Sequence, residues 1–131
     1  MTPVDQEFLH KPEIGQYGDC MRAVLASLLD FPIADVPHFA QIEADGGQNF
    51  WFGVSEFCAS HGFEYVQMPS NCIKWHDGDL YHEISGPSPR GNGIYHAVVG
   101  CNGKIAHDPH PSRDGLAGDP SEWEFSFLVR K

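Results

Sequence analysis

The chain has 131 residues, 41% of them hydrophobic, and eight Lys and Arg against eighteen Asp and Glu give a formal net charge of -10. This length suits one domain, which we expect to span residues 1–131. The acidic balance argues against a nucleic-acid-binding surface, because phosphate contacts require a basic face. The four cysteines form no CxxC pair, so we expect no zinc or other metal site and no cofactor.

The first residues contain neither the basic nor the apolar segment of a signal peptide, and no stretch is long and apolar enough to cross a membrane. We therefore expect a cytoplasmic protein with reduced thiols and no membrane partner. A phage-encoded protein would occupy the host cytoplasm in the same way. Residues 1–14 are polar with scattered apolar positions and are predicted to form an extended arm.

Residues 15–30 are the most informative stretch, because a glycine-bounded polar loop leads into Cys20 and then into an apolar helix. The apolar residues recur at the spacing of one helical face: Met21, Val24, Leu25 and Leu28. Asp19 precedes this helix as a candidate N-cap, and Phe31-Pro32 ends it.

Cys20 therefore lies in the first turn of a helix, where free backbone N–H groups and the helix dipole favour a thiolate. We expect Gly18 to let a substrate approach closely and the side-chain amide of Gln16 to help form an oxyanion hole. The alternative is an ordinary buried thiol, which is the commoner fate of a free cysteine.

Beyond this helix the pattern predicts a second helix over residues 50–61, with Asn49 as its N-cap. The hydrophobic period then changes to that of strands, which are expected near residues 63–68, 80–85, 94–100, 104–108 and 123–129. Two helices followed by about five strands predict an α+β fold with an antiparallel sheet.

His96 lies near the start of the predicted strand 94–100, and Asp108 ends the next strand across an Asn102-Gly103 turn. A two-residue turn would place His96 and Asp108 on opposite faces of the hairpin, leaving His107 as the rival partner. A three-residue turn with Gly103 in a bulge would place His96 opposite Asp108. A functional pair therefore predicts the bulged turn.

A nucleophilic thiol needs a base, and the base needs an acceptor that fixes its tautomer. Cys20, His96 and Asp108 supply these three residue types in that order. Taken singly, His96 could be an ordinary strand histidine and Asp108 a turn residue before a proline. Together they predict a catalytic triad.

Three motifs carry a family resemblance: Gly-Asp-Cys opening an Ala/Leu-rich helix, His-Ala-Val-Val-Gly before an Asn-Gly hairpin, and the following His-Asp-Pro. They resemble the papain-like cysteine peptidase superfamily, and most closely its bacteriocin-leader-processing and NlpC-type branches. The resemblance implies a helix bearing the nucleophile packed on an antiparallel sheet. It further implies Cys20 as nucleophile, His96 as base and Asp108 as its orienter, with Gln16 assisting the Cys20 N–H in the oxyanion hole.

The expected activity is cleavage of an amide, peptide or isopeptide bond through an acyl thioester, with a protein, peptide or small amide as substrate. The alternatives are transfer of the acyl group to an amine and a non-catalytic binding or inhibitor module, for example a phage-encoded one. The residues expected to contact substrate are Gly18, Asp19, Trp51, Arg90 and Tyr95.

Overall fold

Three helices and one five-stranded antiparallel sheet form the protein in a computed structural model that describes residues Met1–Lys131. The helices are α1 (Cys20–Leu29), α2 (Phe39–Ala44) and α3 (Phe50–Ser60). The strands are β1 (Phe63–Pro69), β2 (Tyr81–Pro87), β3 (Tyr95–Cys101), β4 (Lys104–His107) and β5 (Glu124–Arg130). The predicted α+β class and antiparallel sheet are confirmed. None of the three helices has the length and apolar character that a bilayer span requires.

The strands lie in the order β1-β5-β2-β3-β4, so the C-terminal strand is inserted between β1 and β2. All four pairings are antiparallel. Helix α1 packs against β3, and α3 packs against β1. The helix that begins with the predicted nucleophile therefore rests on the strand that carries the predicted base.

The main core lies between the helices and one face of the sheet. Its buried members include Val24 and Leu25 of α1, Val54 of α3 and Val99 of β3. A smaller cluster covers the other face, where Ile84, Val98 and Phe125 are buried. Strand β3 is consequently buried on both faces, which holds its backbone firmly in place.

Both predicted N-cap residues precede their helices, and one of them caps through its side chain. Asn49 caps α3 as expected, since its side chain accepts a hydrogen bond of 3.1 Å from the N–H of Phe52. Asp19 occupies the N-cap position of α1 as expected, but its side chain makes no capping hydrogen bond there. The short helix α2 was not predicted, and the side chain of His38 caps it by accepting from the N–H of Gln41.

The β3–β4 hairpin has the tight two-residue turn, so the predicted three-residue turn is wrong. Asn102 and Gly103 both have positive φ, at 50° and 81°, and Cys101 pairs with Lys104. The bulge occurs instead one step into the hairpin, because Gly100 opposes Ile105 whereas Val99 opposes His107.

Ala106 is the extra residue of this bulge. Side chains alternate between the faces of a strand, so one extra residue reverses the face of everything that follows it. The bulge thereby returns Asp108 to the face of the hairpin that carries His96, and their side chains are in contact.

Strand β2 carries a glutamate, Glu83, that is fully buried. The hydroxyl of Tyr65 donates to its Oε2 at 2.7 Å, whereas Oε1 has no partner. Burial raises the pKa of Glu83, so folding favours its protonated form.

We predict that replacing Glu83 by Gln makes thermal stability less dependent on pH. A raised pKa in the folded state stabilises the protein fully below the unfolded pKa, and this stabilisation is lost as pH rises through the folded pKa. The melting temperature of the wild-type protein should fall as pH rises above the ordinary glutamate pKa of 4.5, and that of Glu83→Gln should fall less. Glu13→Gln, at an exposed position, is the control. Parallel curves for all three proteins would contradict the prediction.

Candidate active site

A cleft of about 490 Å³ lies where the start of α1 meets the loop before β3. Cys20 and His96 both line it, although they come from opposite halves of the chain. The N-terminal arm and α2 supply the remaining walls. The fold therefore brings the predicted nucleophile and the predicted base to one cavity.

His96 and Asp108 form a buried pair. The Nε2 atom of His96 lies 2.7 Å from Oδ1 of Asp108, and the two residues are only 5% and 4% exposed. The N–H groups of His110 and Gly115 also donate to the carboxylate, at 2.9 and 2.7 Å. Burial opposes ionisation of Asp108, but these bonds, led by the one from His96, hold its pKa below the ordinary value. Asp108 is thus the partner of His96.

An ionised Asp108 can only accept a hydrogen bond, so Nε2 of His96 carries the hydrogen and Nδ1 is left as the acceptor. Nδ1 has no hydrogen-bond partner within the protein, and it is not fully buried. Burial lowers the pKa of His96 and outweighs the opposing effect of Asp108. The imidazole is therefore neutral near pH 7 and able to accept a proton from the cleft.

Cys20 is the first residue of α1 and is partly exposed in the cleft. Burial around the sulfur raises the pKa of Cys20 to about 11, although the N–H groups of Ala97 and Met21 act in the opposite direction. The helix start therefore does not produce the expected thiolate in the resting protein, because desolvation outweighs it. Ala97 directly follows His96, so the sulfur lies against the segment that carries the base.

The backbone N–H of Cys20 has no acceptor within the protein, as expected for the first turn of a helix. It is free to bind a developing negative charge on a substrate oxygen. Gln16 does not assist it. The side chain of Gln16 is absent from the cleft, and its Nε2 donates to the carbonyl of Leu9 at 2.7 Å, so the predicted oxyanion role is wrong.

Gln16 instead closes a small hairpin in the N-terminal arm. Its backbone pairs with Lys11 through two hydrogen bonds of 2.8 and 3.2 Å. This hairpin places Leu9, His10 and Lys11 on the cleft wall. Gln6 of the same arm also lines the cleft, with an unpartnered buried Oε1, and no spacing in the sequence pointed to it.

Asp19 fastens the arm to the start of α1. Its carboxylate is 2% exposed and accepts hydrogen bonds from the N–H groups of Phe8 and Glu7, at 2.8 and 3.3 Å. Arg22 completes the contact, since its Nη1 lies 3.3 Å from Asp19 and 3.0 Å from the Glu7 carboxylate. The Asp19 carboxylate is thus fully engaged and is not the substrate contact that we expected.

The other predicted contacts divide between the cleft and the rest of the surface. Gly18, Arg90 and Tyr95 line the cleft, and a Cβ at position 18 would come within 3.2 Å of the His10 side chain. Trp51 is wrongly predicted, because it points away and packs beside Phe50 and Tyr65. Phe50, its neighbour, lines the cleft instead.

His107, the rival partner for His96, faces away from the pair. Its Nε2 lies 3.1 Å from Oδ1 of Asp5 and 3.2 Å from the carbonyl of Val4. The bulge precedes His107 and reverses the face of each residue that follows it. His107 therefore faces away from His96, and Asp108 shares the face of His96.

No group of three or more His, Cys, Asp and Glu side chains is arranged to hold a metal ion. Comparisons of the chain with protein-family models, curated proteins and solved structures gave no match.

We predict that Asp19→Ala releases the N-terminal arm. The substitution leaves two backbone N–H donors without their acceptor and removes one of the two carboxylates that bind Arg22, which costs about 1–3 kcal/mol of unfolding free energy. Denaturant unfolding measures this loss, and hydrogen exchange at the amides of Glu7 and Phe8 should become faster. Asp35→Ala, at an exposed position, is the matched control. Unchanged exchange at both amides would show that the arm is held in another way.

Proposed function

We propose that the protein is a cysteine hydrolase of papain-like fold, which cleaves an amide, peptide or isopeptide bond through an acyl thioester on Cys20. One observation carries the proposal: a histidine held by a buried carboxylate leaves its free nitrogen in the cleft that contains a cysteine at a helix start. The order of the elements, with a nucleophile helix packed on an antiparallel sheet, supports the papain-like assignment.

The first half of the reaction forms the thioester. Nδ1 of His96 takes the proton of the Cys20 thiol as the sulfur attacks the substrate carbonyl carbon. The N–H of Cys20 stabilises the oxyanion, and Asp108 stabilises the imidazolium. When the C–N bond breaks, His96 gives this proton to the leaving amine.

The second half releases the acyl group. His96 takes a proton from water, whose oxygen attacks the thioester carbon, and the proton then returns to the sulfur as the C–S bond breaks. The products are a carboxylic acid and the regenerated thiol. If an amine attacks the thioester in place of water, the same residues perform an acyl transfer.

The resting state contains a neutral thiol and a neutral imidazole, because burial raises the pKa of Cys20 to about 11 and lowers that of His96. Proton transfer must then accompany attack on the substrate. The high pKa of Cys20 also favours one other candidate, a binding module whose thiol is inert. The two candidates differ in whether His96 controls the reactivity of the sulfur.

We predict that iodoacetamide modifies Cys20 at least about tenfold more slowly in His96→Gln than in the wild-type protein, because the base is lost. Peptide mapping by mass spectrometry gives the rate at each cysteine. Cys72 is exposed and provides the internal reference for each protein. Equal Cys20 rates in both proteins would favour the binding module.

The thioester itself can be detected after incubation with a cell lysate and an acid quench. Intact-mass measurement should show an adduct that hydroxylamine removes and that Cys20→Ala does not form. The mass of the adduct then identifies the acyl group. Failure to form an adduct, together with His96-independent labelling, would contradict the enzymatic proposal.

We predict that the rate of Cys20 labelling falls in acid as His96 becomes protonated and can no longer accept a proton. Because burial lowers the pKa of His96, the fall should occur below the ordinary histidine pKa of 6.5. Asp108→Asn removes the anion that raises this pKa, so the fall should move to still lower pH while the maximal rate decreases. Asp114→Asn, at an exposed position, is the control. A shift toward higher pH would contradict this role of Asp108.

A further inference from the structure

The charge of the cleft is opposite to that of the protein. The chain has a net charge of -10, with eighteen Asp and Glu, yet Asp19 is the only one of these acidic residues on the cleft wall. Three of the eight Lys and Arg line it: Lys11, Arg22 and Arg90. The positive side chains are thus concentrated where substrate would bind.

Two of these three cations are available to a ligand. Arg22 is already engaged, since it bonds Asp19 and Glu7 and donates from Nε to the carbonyl of Val36 at 2.7 Å. Lys11 and Arg90 form no ion pair with any carboxylate of the chain. They belong to the N-terminal arm and to the loop before β3, two separate walls of the cleft.

The chain holds Arg90 in place without neutralising it. Its backbone N–H donates to the hydroxyl of Ser88 at 3.2 Å, and its Nη1 donates to the hydroxyl of Ser112 at 3.3 Å. Ser88 is itself buried, and its backbone bonds Ile94 and Gly91 across the loop. A guanidinium has five N–H donors, so most of those of Arg90 remain free for a planar anion.

The charge of Arg90 acts close to the reacting groups. Burial is the main cause of the lowered pKa of His96, Asp108 opposes it, and the Arg90 guanidinium lowers this pKa further. Burial also lowers the pKa of His110, and the Arg90 guanidinium is the second cause. An anion bound to Arg90 would therefore lie near the proposed base.

We propose that the substrate is an amide that carries a carboxylate close to its scissile bond, bound by Arg90 and attracted by Lys11. This inference rests on the proposed function, because it identifies the substrate class of the same cleft. The acidic surface elsewhere repels such a substrate, so the two unpaired cations direct it to the cleft. Arg90 thus acts as a specificity-determining residue.

Iodoacetate and iodoacetamide test this proposal because they have nearly the same size and alkylate the same sulfur, but only iodoacetate is an anion. The measured quantity is the iodoacetate-to-iodoacetamide rate ratio at Cys20, divided by the same ratio at the exposed Cys72. We expect this quotient to exceed one in the wild-type protein and to fall roughly threefold or more in Arg90→Gln and in Lys11→Gln at low salt. Added salt should lower the wild-type quotient as well.

Two matched variants separate a charge effect in the cleft from other causes. Arg90→Lys keeps the charge and should keep most of the preference for iodoacetate. Lys104→Gln removes the same charge from an exposed position on β4 outside the cleft and should change nothing.

The outcomes for the two proposals are distinguishable. If Cys20 reacts with iodoacetamide under His96 control but the quotient is one, or is insensitive to Arg90 and Lys11, the carboxylate proposal is overturned and the hydrolase proposal stands. If Cys20 labelling does not depend on His96, the hydrolase proposal fails and the substrate inference fails with it.

Discussion

The hydrogen bond of 2.7 Å between His96 and Asp108 is the contact on which the rest of the site depends. It fixes which ring nitrogen carries the proton and therefore which nitrogen is free in the cleft. The bond exists because a single extra residue, Ala106, changes the register of a tight hairpin and brings Asp108 to the face of His96. A β-bulge in the edge strand β4 thus determines which residue pairs with the side chain of His96 on the neighbouring strand β3.

Burial controls the protonation states of this site more strongly than the helix dipole does. It raises the pKa of Cys20 to about 11 and lowers that of His96, so both groups are neutral at rest. Such a pair avoids two desolvated charges inside the cleft, which would destabilise the fold. In the proposed mechanism it also makes the sulfur dependent on His96, since few thiolates form without proton transfer to the imidazole.

The N-terminal arm is part of the cleft rather than an appendage. Asp19 holds it at the start of α1 through the N–H groups of Glu7 and Phe8, and Gln16 closes its small hairpin. These contacts place Lys11 on the wall that faces the reacting groups. Asp19 and Gln16 therefore shape the cleft through the arm, and neither side chain is positioned as a catalytic group.

The helices and strands that have local sequence signals could be predicted from the amino-acid sequence. The apolar spacing after Cys20 defined α1, Asn49 marked the start of α3, and alternating residues located the five strands. The pairing of His96 with Asp108 and the shared cleft of His96 and Cys20 were also predictable, because a nucleophilic thiol requires a base and the base an acceptor.

The register shift and the side-chain orientations that depend on contacts between separate segments could not be predicted from the sequence. Examples are the bulge at Ala106, the bonds from the arm to Asp19 and the bond from the side chain of Gln16 to the carbonyl of Leu9. The orientation of Trp51 away from the cleft is likewise set by packing on Tyr65 of β1. Local propensity carries no information on such contacts, because their free energy appears only when the whole chain has folded around them.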